Sequence, residues 1–161
     1  MIHTLRVPPS QITLSGDSSG GHLVLALLRY ITQFNNAKLL PAPQCSWVWS
    51  PWYDVLAALD PAGWVRSSNY KTECIHASFP TWGVKLFIGD LEIIPSVEEY
   101  LTPLNDPFSL PSTVLFVVGG REVLVQDVQD LANIFAMLPG NEASVEFYKE
   151  ELVPHDVLMI G

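Results

Sequence analysis

The sequence contains only two cysteines, Cys45 and Cys74, in 161 residues. Their spacing does not suit metal binding, and two cysteines are too few to form a disulfide framework. This excludes small disulfide-bonded domains and zinc modules, and we expect neither a metal nor a cofactor. The low cysteine content fits a reducing compartment, which favours a cytoplasmic location.

Basic residues are also scarce. Eight Lys and Arg residues stand against 17 Asp and Glu residues, which gives a formal net charge of -9. Because phosphate groups repel such a chain, nucleic acids and anionic membranes are not expected as partners. No apolar run is long enough to cross a bilayer, and no charged-then-apolar leader follows Met1. With 48% hydrophobic and 16% charged residues, we expect a soluble but rather apolar globular protein.

The most informative stretch is a strand-like run followed by a turn of small residues and a long apolar run. This is the pattern of a nucleophile elbow, in which a serine on a strained turn stands at the N-terminus of a helix. Ser18 occupies the apex, and the backbone N–H of Ser19 is the expected oxyanion donor because a helix N-terminus favours negative charge. The other elbow residues are Gly16, Asp17, Gly20 and Gly21. We expect Gly16 and Gly20 to be the glycines at which strand and helix approach most closely.

Strand-like and helix-like stretches alternate along the chain. The predicted strands are Gln11–Leu14, Cys45–Trp49, Thr113–Val118 and Ser144–Tyr148, and the predicted helices are Ser19–Phe34, Phe79–Ile88 and Leu124–Leu138. Asn35 and Asn36 are expected to end the first helix. This alternation predicts an α/β fold with a mostly parallel sheet of about four strands.

The region from about 55 to 100 has no strong period, and we expect it to be irregular and lid-like. If the strands follow chain order, right-handed crossovers place the three helices on one face of the sheet. The other face would be bare, so self-association through it is expected.

A nucleophilic serine requires a base and an acid that orients the base. His155 follows the fourth strand in a loop, which is where an α/β-hydrolase carries its base. His22 is expected to be a histidine on the surface of the first helix. Glu122 at the end of the third strand is the favoured acid, and Asp127 in the following helix remains an alternative.

These motifs occur in the order seen in hormone-sensitive-lipase-like α/β-hydrolases, which the chain resembles over nearly its whole length. The matching segments are Gly16 to Gly21, Ser50 to Trp52, Pro103 to Leu104, Gly120 to Leu124 and Pro154 to Asp156. The resemblance implies that Ser18 is the nucleophile, His155 the base and Glu122 the acid. In that family the acid is commonly Asp, so Glu122 is a departure and Asp127 stays a rival.

The family also carries a glycine-rich oxyanion loop before the elbow and a helix after the histidine. Neither is found here, so the resemblance implies a partial α/β-hydrolase domain over residues 1–161, truncated at both ends. On that basis we expect the chain by itself to be a poor esterase.

Two functions follow from the sequence. The first is a serine carboxylester hydrolase that cleaves a small-molecule ester through an acyl-enzyme intermediate. The alternative is a non-catalytic remnant or ligand-binding protein of the same family. Four tryptophans suit an apolar acyl pocket, although core packing explains them equally well; they are Trp47, Trp52, Trp64 and Trp82.

Overall fold

The computed structural model describes residues 4, 6–34, 40–141, 143–156 and 158. The strands in this part of the chain are β1 (Thr13–Asp17), β2 (Cys45–Trp49), β3 (Thr113–Gly119) and β4 (Val145–Glu150). The helices bounded within it are α1 (Ser19–Phe34), α2 (Pro61–Arg66), α3 (Ser78–Ile88), α4 (Pro95–Leu101) and α5 (Val125–Met137). Short 3-10 helices cover Pro9–Gln11 and Ala57–Leu59. Asn35 and Asn36, predicted to end the first helix, lie outside the described residues.

In the described residues the four strands form one parallel sheet in the order β1-β2-β3-β4. This confirms the predicted α/β fold and its parallel sheet. Strand β2 and helix α1 have the predicted bounds. Strand β1 begins at Thr13 and not at the predicted Gln11. The reason is that Pro9 opens a 3-10 turn in which the Ile12 N–H donates to the Pro9 carbonyl at 3.0 Å. The strand then continues to Asp17, which pairs with Trp49.

Helices α1 and α5 cover one face of the sheet. Leu25 and Leu28 of α1 and Phe135 of α5 are fully buried there, together with Val48 and Phe116 of the sheet. Apolar residues at helical spacing meet alternate residues of the strands, as expected for a helix packed on a sheet. The carboxyl ends of the strands are thereby fixed side by side, and the candidate site lies at this edge.

The opposite face of the sheet is covered less well. Ser15, Trp47, Leu115 and Glu146 are in register across it, and 43% of the Trp47 surface is exposed. Strand β1 is the first in the sheet order of the described residues. Self-association through this face stays a prediction.

The middle of the chain forms a small helical layer beside the sheet. Its own core consists of Val55, Ala58, Val84 and Leu101. Helix α3 packs on α2 and on the 3-10 helix Ala57–Leu59. The expectation that the middle helix covers the sheet is therefore wrong, because its apolar residues are used within this layer. Among the described residues, no helix combines the length and the apolar character that a membrane span requires.

Candidate active site

Ser18 lies between the last residue of β1 and the first residue of α1, in a left-handed backbone conformation with φ of 49°. Non-glycine residues adopt this conformation only where surrounding structure enforces it. Here the Ser18 N–H donates to the Trp49 carbonyl at 2.8 Å, and the Ser18 carbonyl accepts from the Trp52 N–H at 3.0 Å. These two bonds hold the turn against the end of β2. Ser19 begins α1, so its N–H has no acceptor four residues earlier within the helix.

The two tightest positions of the elbow are Gly16 and Gly21. A Cβ atom on Gly16 would overlap the Gly20 carbonyl group and lie 2.8 Å from the Gly21 nitrogen. A Cβ atom on Gly21 would lie 3.0 Å from the Cβ of Pro51. At Gly20 the nearest atom would be 3.9 Å away, an ordinary contact. The expected steric role of Gly20 is therefore wrong, since its backbone and not its missing side chain meets the strand. Asp17 ends β1 and is exposed.

Glu122 and His155 form a buried pair. The Oε2 atom of Glu122 lies 2.7 Å from Nδ1 of His155, and the glutamate is fully buried. The other carboxylate oxygen accepts from the Ser50 hydroxyl at 2.8 Å and from the Gly119 N–H. A carboxylate bonded on both oxygens is held in one orientation and keeps the Nδ1 proton of the imidazole facing it.

The surroundings of His155 raise its pKa above the ordinary value of 6.5. Burial lowers the pKa, but the hydrogen bond to Glu122 and the charge of that carboxylate outweigh it, and Glu73 and Asp156 add to the upward shift. These surroundings therefore favour the protonated form of His155.

The loop that carries His155 reaches Glu122 because two glycines leave room for it. A Cβ on Gly119 would overlap the carbonyl oxygens of Val153 and Pro154, and one on Gly120 would lie 2.7 Å from the Glu151 oxygen. The Gly120 N–H donates to the Glu150 carbonyl at 2.7 Å, and the Arg121 N–H donates to the Val153 carbonyl at 3.0 Å. Backbone contact thus joins the two loops directly.

Ser18 and His155 line the same cavity, which has a volume of about 320 Å³. Within the described chain, the buried Nε2 atom of His155 has no hydrogen-bond partner. Catalytic hydrogen bonds are often long before substrate binds. The rest of the lining is mainly apolar and comes largely from the middle region: Leu23, Trp52, Val55, Trp64, Ile75, Phe79, Pro80, Phe87 and Leu124. The arrangement combines a strained serine, a histidine and an apolar space for a ligand.

Asp127, the alternative acid, has a different partner. Its carboxylate accepts a hydrogen bond from Tyr53, and burial raises its pKa. Burial and the negative charge of Asp127 raise the pKa of Tyr53. Asp127 lines a second cavity, next to Asp54 and Asp60, and not the one that holds Ser18. Of the two candidate acids, the structure brings Glu122 to the histidine.

The structure also corrects the expectation for His22 and separates the four tryptophans into two groups. His22 is buried and not on the helix surface, since its Nδ1 atom lies 3.0 Å from the Trp52 carbonyl. Burial lowers the pKa of His22. Trp52 and Trp64 line the cavity, as an acyl pocket would require, whereas Trp47 and Trp82 are exposed and do not.

Sequence reasoning missed residues that bond to Glu122 or to its loop from elsewhere in the chain, among them Ser50 and Glu73. Ser50 belonged to a recognised motif but received no role; its position directly after β2 was the available signal, since parallel strands end at one edge. Glu73 was missed because it lies in an irregular segment without a motif.

Glu73, Glu122 and His155 each offer one atom, all within 4.8 Å of one another, as metal ligands could. Their hydrogen bonds already join the histidine to Glu122, and both Glu73 oxygens to backbone N–H groups. His155 Nδ1, Glu122 Oε2 and both Glu73 oxygens therefore already have hydrogen-bond partners within the protein.

A family model described as the alpha/beta hydrolase fold matches residues 2–159. The chain belongs to the α/β-hydrolase family. No match is found among the curated proteins.

Solved structures share this fold over nearly the whole chain. The chain is similar to an esterase from the bacterial hormone-sensitive lipase family, with 24% identity and a TM-score of 0.70 over 96% of this chain and 48% of that one. An esterase/lipase from an uncultured bacterium has 25% identity and a TM-score of 0.64, with 96% and 47% covered. A hormone-sensitive-lipase homologue from a metagenome library has 21% identity and a TM-score of 0.72, with 96% and 48% covered. The chain therefore spans about half the length of these relatives.

Proposed function

We propose that this chain carries the nucleophile, acid and base of a serine hydrolase that cleaves carboxylic esters through an acyl-enzyme. The observation that carries the proposal is the buried Glu122–His155 pair at 2.7 Å, whose histidine shares a cavity with the strained Ser18. A structural role alone does not explain why a buried histidine that shares a cavity with a strained serine would leave Nε2 unbonded. An activated serine requires a base that can take its proton, and an unbonded Nε2 atom in the same cavity is available for this role.

In the proposed reaction Ser18 Oγ attacks the ester carbonyl carbon, and His155 Nε2 takes the hydroxyl proton. Glu122 stabilises the imidazolium that forms. The oxyanion receives a hydrogen bond from the Ser19 N–H at the helix N-terminus. The alcohol then leaves with the proton from His155. A water molecule, deprotonated by the same histidine, then attacks the acyl group on Ser18. The carboxylic acid product leaves, and Ser18 takes back the proton from His155.

The substrate class follows from the cavity. Its lining is apolar around the serine and histidine, and a volume of about 320 Å³ suits a small or medium acyl group. Charged side chains at the cavity would favour a charged ligand, but the lining residues other than the two histidines are uncharged. We therefore propose a neutral ester with an apolar acyl group.

A second candidate function is ligand binding without turnover. It is favoured by the absence of a hydrogen bond from Ser18 to the buried His155 Nε2 within the described chain. It would leave the cavity intact and make the serine inert.

Hydrolysis of aryl acetates and aryl butyrates separates these functions. We expect weak hydrolysis by the chain, only slightly above background, loss of it in Ser18→Ala and retention in Ser19→Ala, because the second variant keeps its backbone N–H. Binding of the esters with no hydrolysis above the Ser18→Ala background would favour the ligand-binding function.

A further inference from the structure

The loop that carries the acid is contacted from a second side by an irregular segment of the middle region. We call residues 119–123 the acid loop. The Asn69 side-chain amide donates to the Gly120 and Glu122 carbonyls, each at 3.1 Å. The Thr72 hydroxyl lies 2.8 Å from the Arg121 carbonyl, and Glu73 Oε2 accepts from the Val123 N–H at 2.8 Å. Each residue from 120 to 123 thus has a backbone group bonded to one of three side chains.

The segment that supplies these side chains is itself held in a compact turn. The Asn69 carbonyl accepts from the N–H groups of Thr72 and Glu73 at 2.9 and 3.0 Å. The second oxygen of Glu73 accepts from the N–H groups of Cys74 and Ile75 at 2.8 and 3.2 Å. The segment is therefore ordered by bonds of its own, which lowers the entropic cost of holding the acid loop.

We propose that Asn69, Thr72 and Glu73 are positioning residues that clamp the acid loop and keep Glu122 against His155. The role assigned to Glu122 rests on the proposed function, whereas the clamp is a property of the fold. On its other side the loop is bonded to residues 150–153. The acid loop is thus held between the clamp and the histidine loop. It cannot move away together with the histidine loop, and it cannot separate from it. Catalytic groups must be held within about 0.5 Å of the productive geometry, and bonds on both sides of the loop serve that end.

Glu73 has a second effect through its charge. One atom each of Glu73, Glu122 and His155 lie within 4.8 Å of one another. The charged groups that face the imidazole are Glu122, Glu73 and Asp156; burial opposes them, and together they raise the pKa of His155. The Cys74 thiol is also close, 3.9 Å from the His155 carbonyl. Removing the charge of Glu73 should lower the titration midpoint of His155.

The test measures two properties of the full chain that do not depend on turnover. Amide hydrogen exchange, followed by NMR, reports how firmly the acid loop is held. Carbon-edited spectra of the histidine rings report the titration of His155, whose signal is identified by its loss in His155→Gln.

In Glu73→Gln we expect a lower titration midpoint for His155 and exchange of the Val123 amide at least about tenfold faster. Glu73→Asp keeps the charge and should return the midpoint towards that of the unmodified chain.

In Asn69→Leu the amides of Gly120 and Arg121 should exchange about tenfold faster. Thr72→Val replaces one hydroxyl by a methyl group at nearly constant volume, so it disturbs the packing least. We expect about threefold faster exchange of the Arg121 amide in this variant. Glu92→Gln, at an exposed position, is the control and should change neither property.

An unchanged His155 midpoint in folded Glu73→Gln, with unchanged acid-loop exchange in Thr72→Val, would overturn the clamp. These results are independent of the hydrolase proposal. If the clamp variants behave as expected but Ser18 proves unreactive, the clamp stands and the hydrolase proposal fails. If Ser18 reacts while the clamp variants show no effect, only the clamp fails.

Discussion

Glu122 Oε2 lies 2.7 Å from His155 Nδ1, although 33 positions separate the two residues in the sequence. The glutamate side chain is fully buried and the histidine is 6% exposed. The contact requires two glycines, Gly119 and Gly120, because side chains there would displace residues 151–154. The pair therefore forms where two loops approach closely at the carboxyl edge of the sheet.

The first prediction concerns the identity of the acid. Glu122→Gln removes the charge that stabilises the imidazolium and should slow the reaction of Ser18 with a fluorophosphonate by about a thousandfold. Asp127→Asn, the matched variant, should slow it far less, since Asp127 is bonded to Tyr53. The rates of covalent labelling measure both. The reverse ranking would transfer the role to Asp127.

The second prediction concerns Ser50, whose hydroxyl donates to Glu122 at 2.8 Å and accepts from the Asp156 N–H at 3.3 Å. Ser50→Ala leaves a buried carboxylate with one donor fewer and should lower the free energy of unfolding by about 1.5–3 kcal/mol. Urea denaturation measures this loss. Ser68→Ala, at an exposed position, is the control and should change stability by less than about 0.5 kcal/mol. Equal stability of the two variants would contradict the assigned hydrogen bond.

The third prediction compares two glycines of the elbow. Gly16→Ala places a methyl group against the Gly20 carbonyl and should lower the free energy of unfolding by about 1–3 kcal/mol. Gly20→Ala meets no atom closer than 3.9 Å and lies in α1, where alanine is favoured over glycine. It should be neutral or stabilising. Thermal unfolding of both variants measures the difference, and equal destabilisation would show that the elbow is packed differently.

The fourth prediction concerns pH. Because the pKa of His155 is raised above 6.5 in the folded chain, protonated His155 stabilises the fold. This contribution is complete below pH 6.5 and is lost as the pH rises through the folded-state pKa. The difference in unfolding free energy between the chain and His155→Gln should therefore decrease over that interval. His22 has the opposite sign, since burial lowers its pKa, and its contribution is lost as the pH falls below 6.5.

Labelling of Ser18 should follow the same titration, because only unprotonated His155 can accept the serine proton. The labelling rate should rise with pH with a midpoint above 6.5. A midpoint at or below 6.5 would contradict the raised pKa.

The parts of the fold that could be predicted are those encoded locally. Helix α1 and strand β2 were predicted with their observed bounds, because the apolar run after the elbow and the alternation in Cys45–Trp49 are visible in consecutive residues. The start of β1 was predicted incorrectly, because the turn at Pro9 competes with extended structure.

The candidate site was accessible where a motif marked it. Ser18 has its elbow, and Glu122 and His155 each follow a strand at the carboxyl edge. The position of Glu122 in the loop after β3 favoured it as the acid, but the sequence left Asp127 open, since it lies in the first turn of the helix that follows the same strand. The contacts of Asn69 and Glu73 with the acid loop span 50 or more residues and use side chains from a segment without periodicity. Such contacts are set by tertiary packing and leave no local pattern.

The central claim, that Ser18 is a nucleophile activated by His155, is tested most directly by mapping a fluorophosphonate adduct by mass spectrometry. The reaction requires only the serine and its base and not complete turnover. The account predicts one adduct, on Ser18, that is absent in Ser18→Ala, greatly slowed in His155→Gln and unaffected by Ser19→Ala. An adduct on Ser19, or labelling that persists in Ser18→Ala, would contradict it.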